Sequence, residues 1–171
     1  LISAEKVSDA FIVEVWKIMR ATPHHFYQIL TKRPERMGSL VRSRIAEILP
    51  NVWLGTSVEA SEVVTRIDHL RTVPAAIRFI SFEPLVAPVG KVDLKGIHWA
   101  IVGGESGRAA RLIREEWIDE IYEQCLLHGT AFFFKQWGGI TSKATGRELD
   151  GKLWNEFPAP EPKHFINSLS T

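Results

Sequence analysis

The stretch IHWAIVGGES, residues 97–106, runs from an almost unbroken apolar segment into two glycines, an acid and a hydroxyl. A run this short and this apolar, rich in β-branched and aromatic residues, reads as a strand buried on both faces. Four other segments share the pattern: HFYQILTKRP (25–34), NVWLGTSVE (51–59), AIRFISFEPL (76–85) and TAFFFKQWGG (130–139). They predict strands near 26–32, 52–58, 77–83, 98–103 and 131–136. Continuous rather than alternating hydrophobicity predicts parallel pairing with both faces of the sheet covered.

The segments between the runs carry a helical period. Before the first run, Ser8 is placed to cap a helix bearing Phe11, Ile12, Val15, Trp16 and Met19. PERMGSLVRSRIAEIL (34–49) spaces Met37, Leu40, Val41, Ile45 and Ile48 helically, with Pro34 in a first turn that tolerates it. Val63, Val64, Ile67 and Leu70 form a third stripe that ends before Pro74. REEWIDEIYEQCLLHG (114–129) has acids in its first turn, an apolar side and Gly129 where a left-handed C-terminal cap belongs. The link VAPVGKVDLKG (86–96) lacks a period and is read as a loop. Past residue 139 the chain is polar and broken by glycine and proline, and is read as a short hairpin or extended tail around ELDGKLW. The organisation expected is a single domain over 1–171, with 140–171 as a C-terminal extension packed on it or trailing from it.

Alternating strand and helix units call for a parallel sheet, either a (β/α) barrel or an open doubly wound sheet. In both, ligands bind at the carboxyl ends of the strands, where loops and helix N-termini gather. All five runs finish there in polar groups: Thr31-Lys32-Arg33, Thr56-Ser57-Val58-Glu59, Ser81-Phe82-Glu83, Gly103-Gly104-Glu105-Ser106 and Lys135-Gln136-Trp137. Acids and lysines converging on one rim predict a hydrogen-bonding pocket in which Glu83 and Lys135 pair near Glu105. Gly103 and Gly104 permit close backbone approach, and the Ser106-Gly107 step that follows is a candidate anion nest.

Composition narrows the function classes. The chain has 171 residues, 45% of them hydrophobic, and a net charge of +1, so no strong field points to nucleic acid or an anionic membrane. One cysteine, Cys125, excludes an internal disulfide framework, and no apolar run approaches the roughly 18 residues of a membrane span. A cytoplasmic setting is expected. The opening LISAEKVSDAF has no initiator Met and no signal-peptide pattern, and is read as starting inside a longer gene product. His24 and His25 fall at the amino end of their strand, the wrong edge for a site. Cys125 falls on the apolar side of its helix. GGESGR is neither a Walker phosphate loop nor a dinucleotide fingerprint.

The blocks QILTKRPERM, LPNVWLGTSVE, RFISFEPL, WAIVGGESG, FFFKQWGG and GRELDGKLWNEFP, in this order, resemble the bacteriophage gene-product thirty-seven/sixty-eight family, which is similar to radical S-adenosylmethionine proteins. The resemblance covers nearly the whole chain. It implies an α/β fold of five parallel strands with helical crossovers, an incomplete TIM-like (β/α) barrel. It also implies a [4Fe–4S] cluster and S-adenosylmethionine in the intact protein. This chain lacks the three-cysteine motif, so no cofactor and no metal ligand is assigned to it, and it is expected to be inactive alone. A Gly-Gly-Glu motif in radical enzymes follows an early strand, whereas here it follows the fourth, so that role is not carried over.

On this reading Lys32, Glu83, Glu105 and Lys135 are the candidate catalytic residues. Thr31, Glu59, Gly103, Gly104, Ser106, Gln136 and Trp137 are the candidate cofactor-binding residues. The substrate is a small molecule or macromolecule of unspecified type, and exposed strand edges are expected to allow self-association. The alternative is a non-catalytic, barrel-derived module that binds protein or nucleic acid through the same rim.

Overall fold

The computed structural model describes residues 7–45, 47–141 and 145–159. Helix α1 (Asp9–Ala21) is capped by Ser8, whose hydroxyl accepts from the Phe11 amide at 3.2 Å. Strand β1 (Tyr27–Thr31) leads to α2 (Pro34–Leu40), which continues as a π-helical turn over Val41–Ile45. Then follow β2 (Val52–Ser57), a 3-10 turn at Ser61–Val63, α3 (Thr65–Arg71) and β3 (Ile77–Phe82). Strand β4 (Trp99–Gly103), α4 (Glu115–His128) and β5 (Ala131–Gln136) complete the main sheet. Gly129 ends α4 in the left-handed conformation, φ 66°, as its position predicts. Of the two readings of the ELDGKLW segment the hairpin is the one formed, β6 (Glu148–Leu149) against β7 (Lys152–Leu153).

All four pairings in the main sheet are parallel, in the order β1-β2-β3-β4-β5. A doubly wound sheet reverses its strand order at a switch point, and this one never does. Successive crossovers of one hand in an unreversed order place every helix on the same side, as in a sector of a barrel. The sheet remains open, because β5 does not meet β1.

The core follows from that placement. Trp16 and Met19 of α1, Ile67 and Leu70 of α3, and Ile118, Ile121 and Cys125 of α4 share one buried cluster with Leu54, Ile80, Phe82, Val102, Phe132 and Phe134 of the sheet. The 86–96 link contains no helix. Val89, Val92 and Leu94, with the flanking Leu85 and Ile97, are buried and cover the sheet where a helix otherwise would.

Two expectations are corrected here. Helical spacing over 34–49 holds as α-helix only to Leu40, and Ile48 is exposed rather than part of the stripe. Both faces of the sheet are covered along β2, β3 and β4 but not along β1. β2 is buried throughout, but β1 alternates between half-buried and exposed residues. An open sector lacks the opposing strands that fill a closed barrel, so its inner face is shielded only where its own side chains are large.

Candidate functional site

Side chains alternate across a strand, so the register sorts the residues of the inner face into rows. Leu30, Gly55, Phe79, Trp99 and Ala131 form one row, and Ser57, Ser81, Ile101 and Phe133 form the next toward the carboxyl ends. Trp53, Ile77, Phe79 and Trp99 make a second, smaller buried cluster, with Ile101, Ala131 and Phe133 against it. Trp99 contacts Phe79 at a 6.0 Å ring separation and meets Trp53 and Phe133 edge-on, each at 5.9 Å. Gly55 is required by this packing, since a Cβ there would lie 2.5 Å from the Phe79 ring.

These rows floor a groove of about 360 Å³ lined by Gln28, Leu30, Phe79, Ser81, Glu83, Trp99, Ile101, Phe133 and Lys135. Its apolar half lies toward the middle of the strands and its charged half at their carboxyl ends. Glu83 occupies the junction. It accepts from the Ser81 hydroxyl at 3.2 Å and pairs with the Lys135 ammonium at 3.2 Å, while its carboxylate lies against Gly103, where a Cβ would come within 2.6 Å. The Glu83 side chain is only 20% exposed and Lys135 is 54% exposed, so the pair is anchored from the acid side. A register shift in β5 follows Val102 opposite Phe134, and Gly103 pairs with Gln136, leaving Lys135 as the extra residue that reaches the rim.

The other rim residues divide into separate clusters. Lys32 pairs with Glu59, and Arg66 bonds the same carboxylate at 3.1 Å as well as the Ser57 carbonyl at 2.9 Å. Glu59 is thus held from two sides. The Thr31 hydroxyl accepts from the Arg33 amide, and the Thr31 carbonyl accepts from Thr56. Glu105 is fully engaged by Arg111, accepting from its backbone amide at 3.0 Å and from Nε and Nη2 at 2.8 Å each. Those hydrogen bonds hold its carboxyl down at about pKa 2, against the opposing effect of desolvation. Glu105 therefore closes its own loop instead of joining Glu83 and Lys135.

The twin glycines of the opening stretch have two different reasons. Gly103 makes room for the Glu83 carboxylate. Gly104 makes room for backbone, since a Cβ on it would lie 1.9 Å from the Trp137 carbonyl oxygen. Beyond the strand ends the two segments stay zipped: Gly104 donates to the Gln136 carbonyl, Gly139 to Glu105 and Gly107 to Gly139, each at 2.9 Å. The expectation of an anion nest is corrected accordingly, because the Gly104 and Gly107 amides already serve these bonds. Gln136 donates to the Ser106 hydroxyl at 3.0 Å, and Trp137 donates to the Glu148 carbonyl at 2.7 Å with its ring edge-on to Phe134. Both tie the β4 and β5 exits to the structure around them.

Gln28 and Ser81 were not singled out as site residues by sequence reasoning. Ser81 was recoverable, because it shares parity with Glu83 two residues on and so must face the same way. Gln28 stands out only once β1 is known to be a sheet edge. Among the described residues no group of three or more His, Cys, Asp or Glu is placed to hold a metal ion, and no helix is long and apolar enough to cross a membrane. An iron–sulfur cluster does not fit the residues present. Cys125 is buried on the core side of α4, and burial, with a smaller contribution from the Glu156 charge, pushes its thiol up to about 12.

An open parallel sheet, helices on one side and a groove on the other, defines an α/β domain of barrel-like strand order. Residues 2–158 match the family described as protein of unknown function DUF5131, and the chain belongs to that family. No curated protein and no solved structure matches it.

Proposed function

We propose that the inner face of the sheet is a small-molecule site, taking a ligand with an apolar or aromatic body and a polar head. The observation that carries this reading is the Ser81–Glu83–Lys135 array, fixed over Gly103 at the carboxyl end of an aromatic-floored groove. Apolar walls with a few convergent polar groups are what such sites require, and the strand carboxyl ends are where parallel α/β folds place them. The body would lie along Leu30, Ile101 and Phe133. The head would exchange with the Glu83–Lys135 pair, Lys135 donating to an anionic or carbonyl oxygen and Glu83 accepting from a hydroxyl or ammonium.

The resemblance of the sequence blocks to a family that is itself similar to radical S-adenosylmethionine proteins favours an enzyme, with this groove as its substrate side. On that reading the cluster is held by residues outside this sequence, since the single buried thiol does not suit one. Here Glu83, Lys135 and Ser81 bind and orient, and no further step is assigned to them. Lys32 and Glu59 shape the neighbouring rim rather than the groove floor.

Protein-observed amide NMR with a panel of aryl carboxylates and aromatic amines tests the groove. Binders should perturb the amides of Ser81, Ile101 and Lys135 and should be weakened in both Glu83→Gln and Lys135→Met. Binders that map elsewhere, or that bind both variants unchanged, would refute the site.

A further inference from the structure

Taking the groove as the small-molecule site proposed above, we infer that Arg147 is its anion-recognising residue, which makes the ligand an aryl carboxylate rather than an aromatic amine. The wall that carries Arg147 comes from the chain beyond the sheet. Residues 154–157 run antiparallel beside β5 like a short sixth strand. The Phe134 amide donates to the Trp154 carbonyl and the Glu156 amide to the Phe132 carbonyl, both at 3.1 Å, and Phe133 bridges Asn155. Directly opposed residues point to the same side, so Asn155 shares the inner face with Phe133, and so does Phe157 two residues on. Trp154 takes the other side, packing on Tyr122 and Phe132 at ring separations of 4.6 and 5.6 Å. Phe157 accordingly lies over Trp99 and Phe133, at 5.0 and 5.6 Å.

Arg147 stands against this wall. Its guanidinium lies 5.3 Å from the centre of the Phe133 ring, which lines the groove, and its Nη2 donates to the Asn155 side-chain oxygen. The backbone on either side of it is pinned by Trp137, whose amide donates to the Gly146 carbonyl at 3.3 Å and whose indole donates to the Glu148 carbonyl at 2.7 Å. The Thr145 hydroxyl adds a bond to the Gly138 carbonyl. A guanidinium kept merely for solubility requires no such bracing. Among the described residues no carboxylate pairs with Arg147, whereas Lys32, Arg66, Arg111 and Lys135 around the rim each have one.

The charge count then decides which head the groove accepts. Phe133 and Lys135 both line it, and two residues of extended chain span about 7 Å. Lys135 and Arg147 thus bring two cations to the β5 side, against the one carboxylate of Glu83. One positive charge is left to be neutralised. A carboxylate head neutralises it, and an ammonium head would double it. Asn155 engages Nη2, so Nε and Nη1 remain for the ligand, and the planar guanidinium matches a carboxylate better than an ammonium could.

Titrations of the full chain followed by amide NMR compare three probes with one aromatic body: phenylacetate, phenylacetamide and 2-phenylethylamine. Phenylacetate should bind tightest, should shift the Phe133, Lys135 and Arg147 amides, and should weaken as salt is added. Arg147→Met, which keeps an apolar stem against Phe133, should weaken phenylacetate about fivefold or more and leave phenylacetamide within about twofold of the parent. Arg147→Lys should recover part of the loss. If the probes map to the groove but phenylacetate binds parent and Arg147→Met alike, or the amine binds as well as phenylacetate, the role of Arg147 is overturned and the groove stands. If none of the three binds, or all map elsewhere, the groove falls and the role of Arg147 with it. Should Arg147→Met fail to fold, the order of the three probes on the unaltered chain decides: phenylacetate first supports the assignment, and either of the others first overturns it.

Discussion

Replacing Gly103 and Gly104 by alanine, one at a time, separates two kinds of close approach that look identical in the sequence. In Gly103→Ala the new methyl meets the end of a side chain. The Glu83 oxygen, 2.6 Å away, has to retreat about 0.8 Å to reach an ordinary contact of about 3.4 Å, stretching its 3.2 Å bond to Lys135. With Lys135 largely in water, that pair contributes about 0–1 kcal/mol. The smaller entropy of the unfolded chain offsets about 0.4–1 kcal/mol of the loss. The net change in stability should stay within about 1 kcal/mol, although the groove's polar end is displaced. In Gly104→Ala the methyl meets the Trp137 carbonyl at 1.9 Å, and main chain has to move by about 1.5 Å. The Gly104–Gln136 and Gly139–Glu105 bonds hold that stretch on either side. Overpacking of about 1–3 kcal/mol plus about 1 kcal/mol for a weakened hydrogen bond gives a cost of about 3 kcal/mol. Urea unfolding followed by tryptophan fluorescence measures both. At about 2–4 °C per kcal/mol, Gly104→Ala should melt about 6–12 °C lower and Gly103→Ala within about 4 °C of the parent. Equal effects, or a neutral Gly104→Ala, would refute the assignment of the two glycines to different neighbours.

The Glu105 carboxyl should titrate with a midpoint of about 2 in the folded protein, followed by carbon-detected NMR, and should return toward 4.5 in Arg111→Met. Because its folded pKa lies below the unfolded value, its contribution to stability is complete above about pH 4.5 and is lost as the pH falls toward 2. Arg111→Met should therefore narrow the gap between neutral and acid stability, and an unchanged pH profile would count against the clamp. Cys125, its thiol raised to about 12, should stay protonated and unreactive toward a thiol reagent at pH 8 until the protein unfolds. Stoichiometric labelling of the native chain would contradict its place in the core.

Element identity was legible because it is local. A strand's composition and a helix's period are written within a few consecutive residues, so the five strands, the Ser8 cap, the Gly129 cap and the 148–153 hairpin emerge from the chain read alone. The same locality explains where reading failed. In 34–49 an apolar spacing that suits a helix outlasts the α-helix itself, and only the fold reveals that the stripe runs on through the π turn, where Val41 and Ile45 still pack on the core, and ends before the exposed Ile48.

The chain by itself determined an alternating α/β fold with a polar carboxyl edge, since each strand's own sequence carries its polar exit. Which charges meet on that edge is decided between strands. Glu83 and Lys135 are 52 residues apart and touch because β4 sets β3 and β5 in register and the shift in β5 lifts Lys135 to the rim. Glu105 has the same residue type and the same kind of position, yet Arg111 six residues on captures it before any neighbouring strand can. Tertiary structure alone also settles which face the helices take, because strand order, not strand composition, fixes the side on which successive crossovers pack. That choice leaves the inner face shielded in its middle by its own Trp53, Phe79 and Trp99 and exposed along β1, whereas the runs of apolar residues in the sequence read as though both faces were covered throughout.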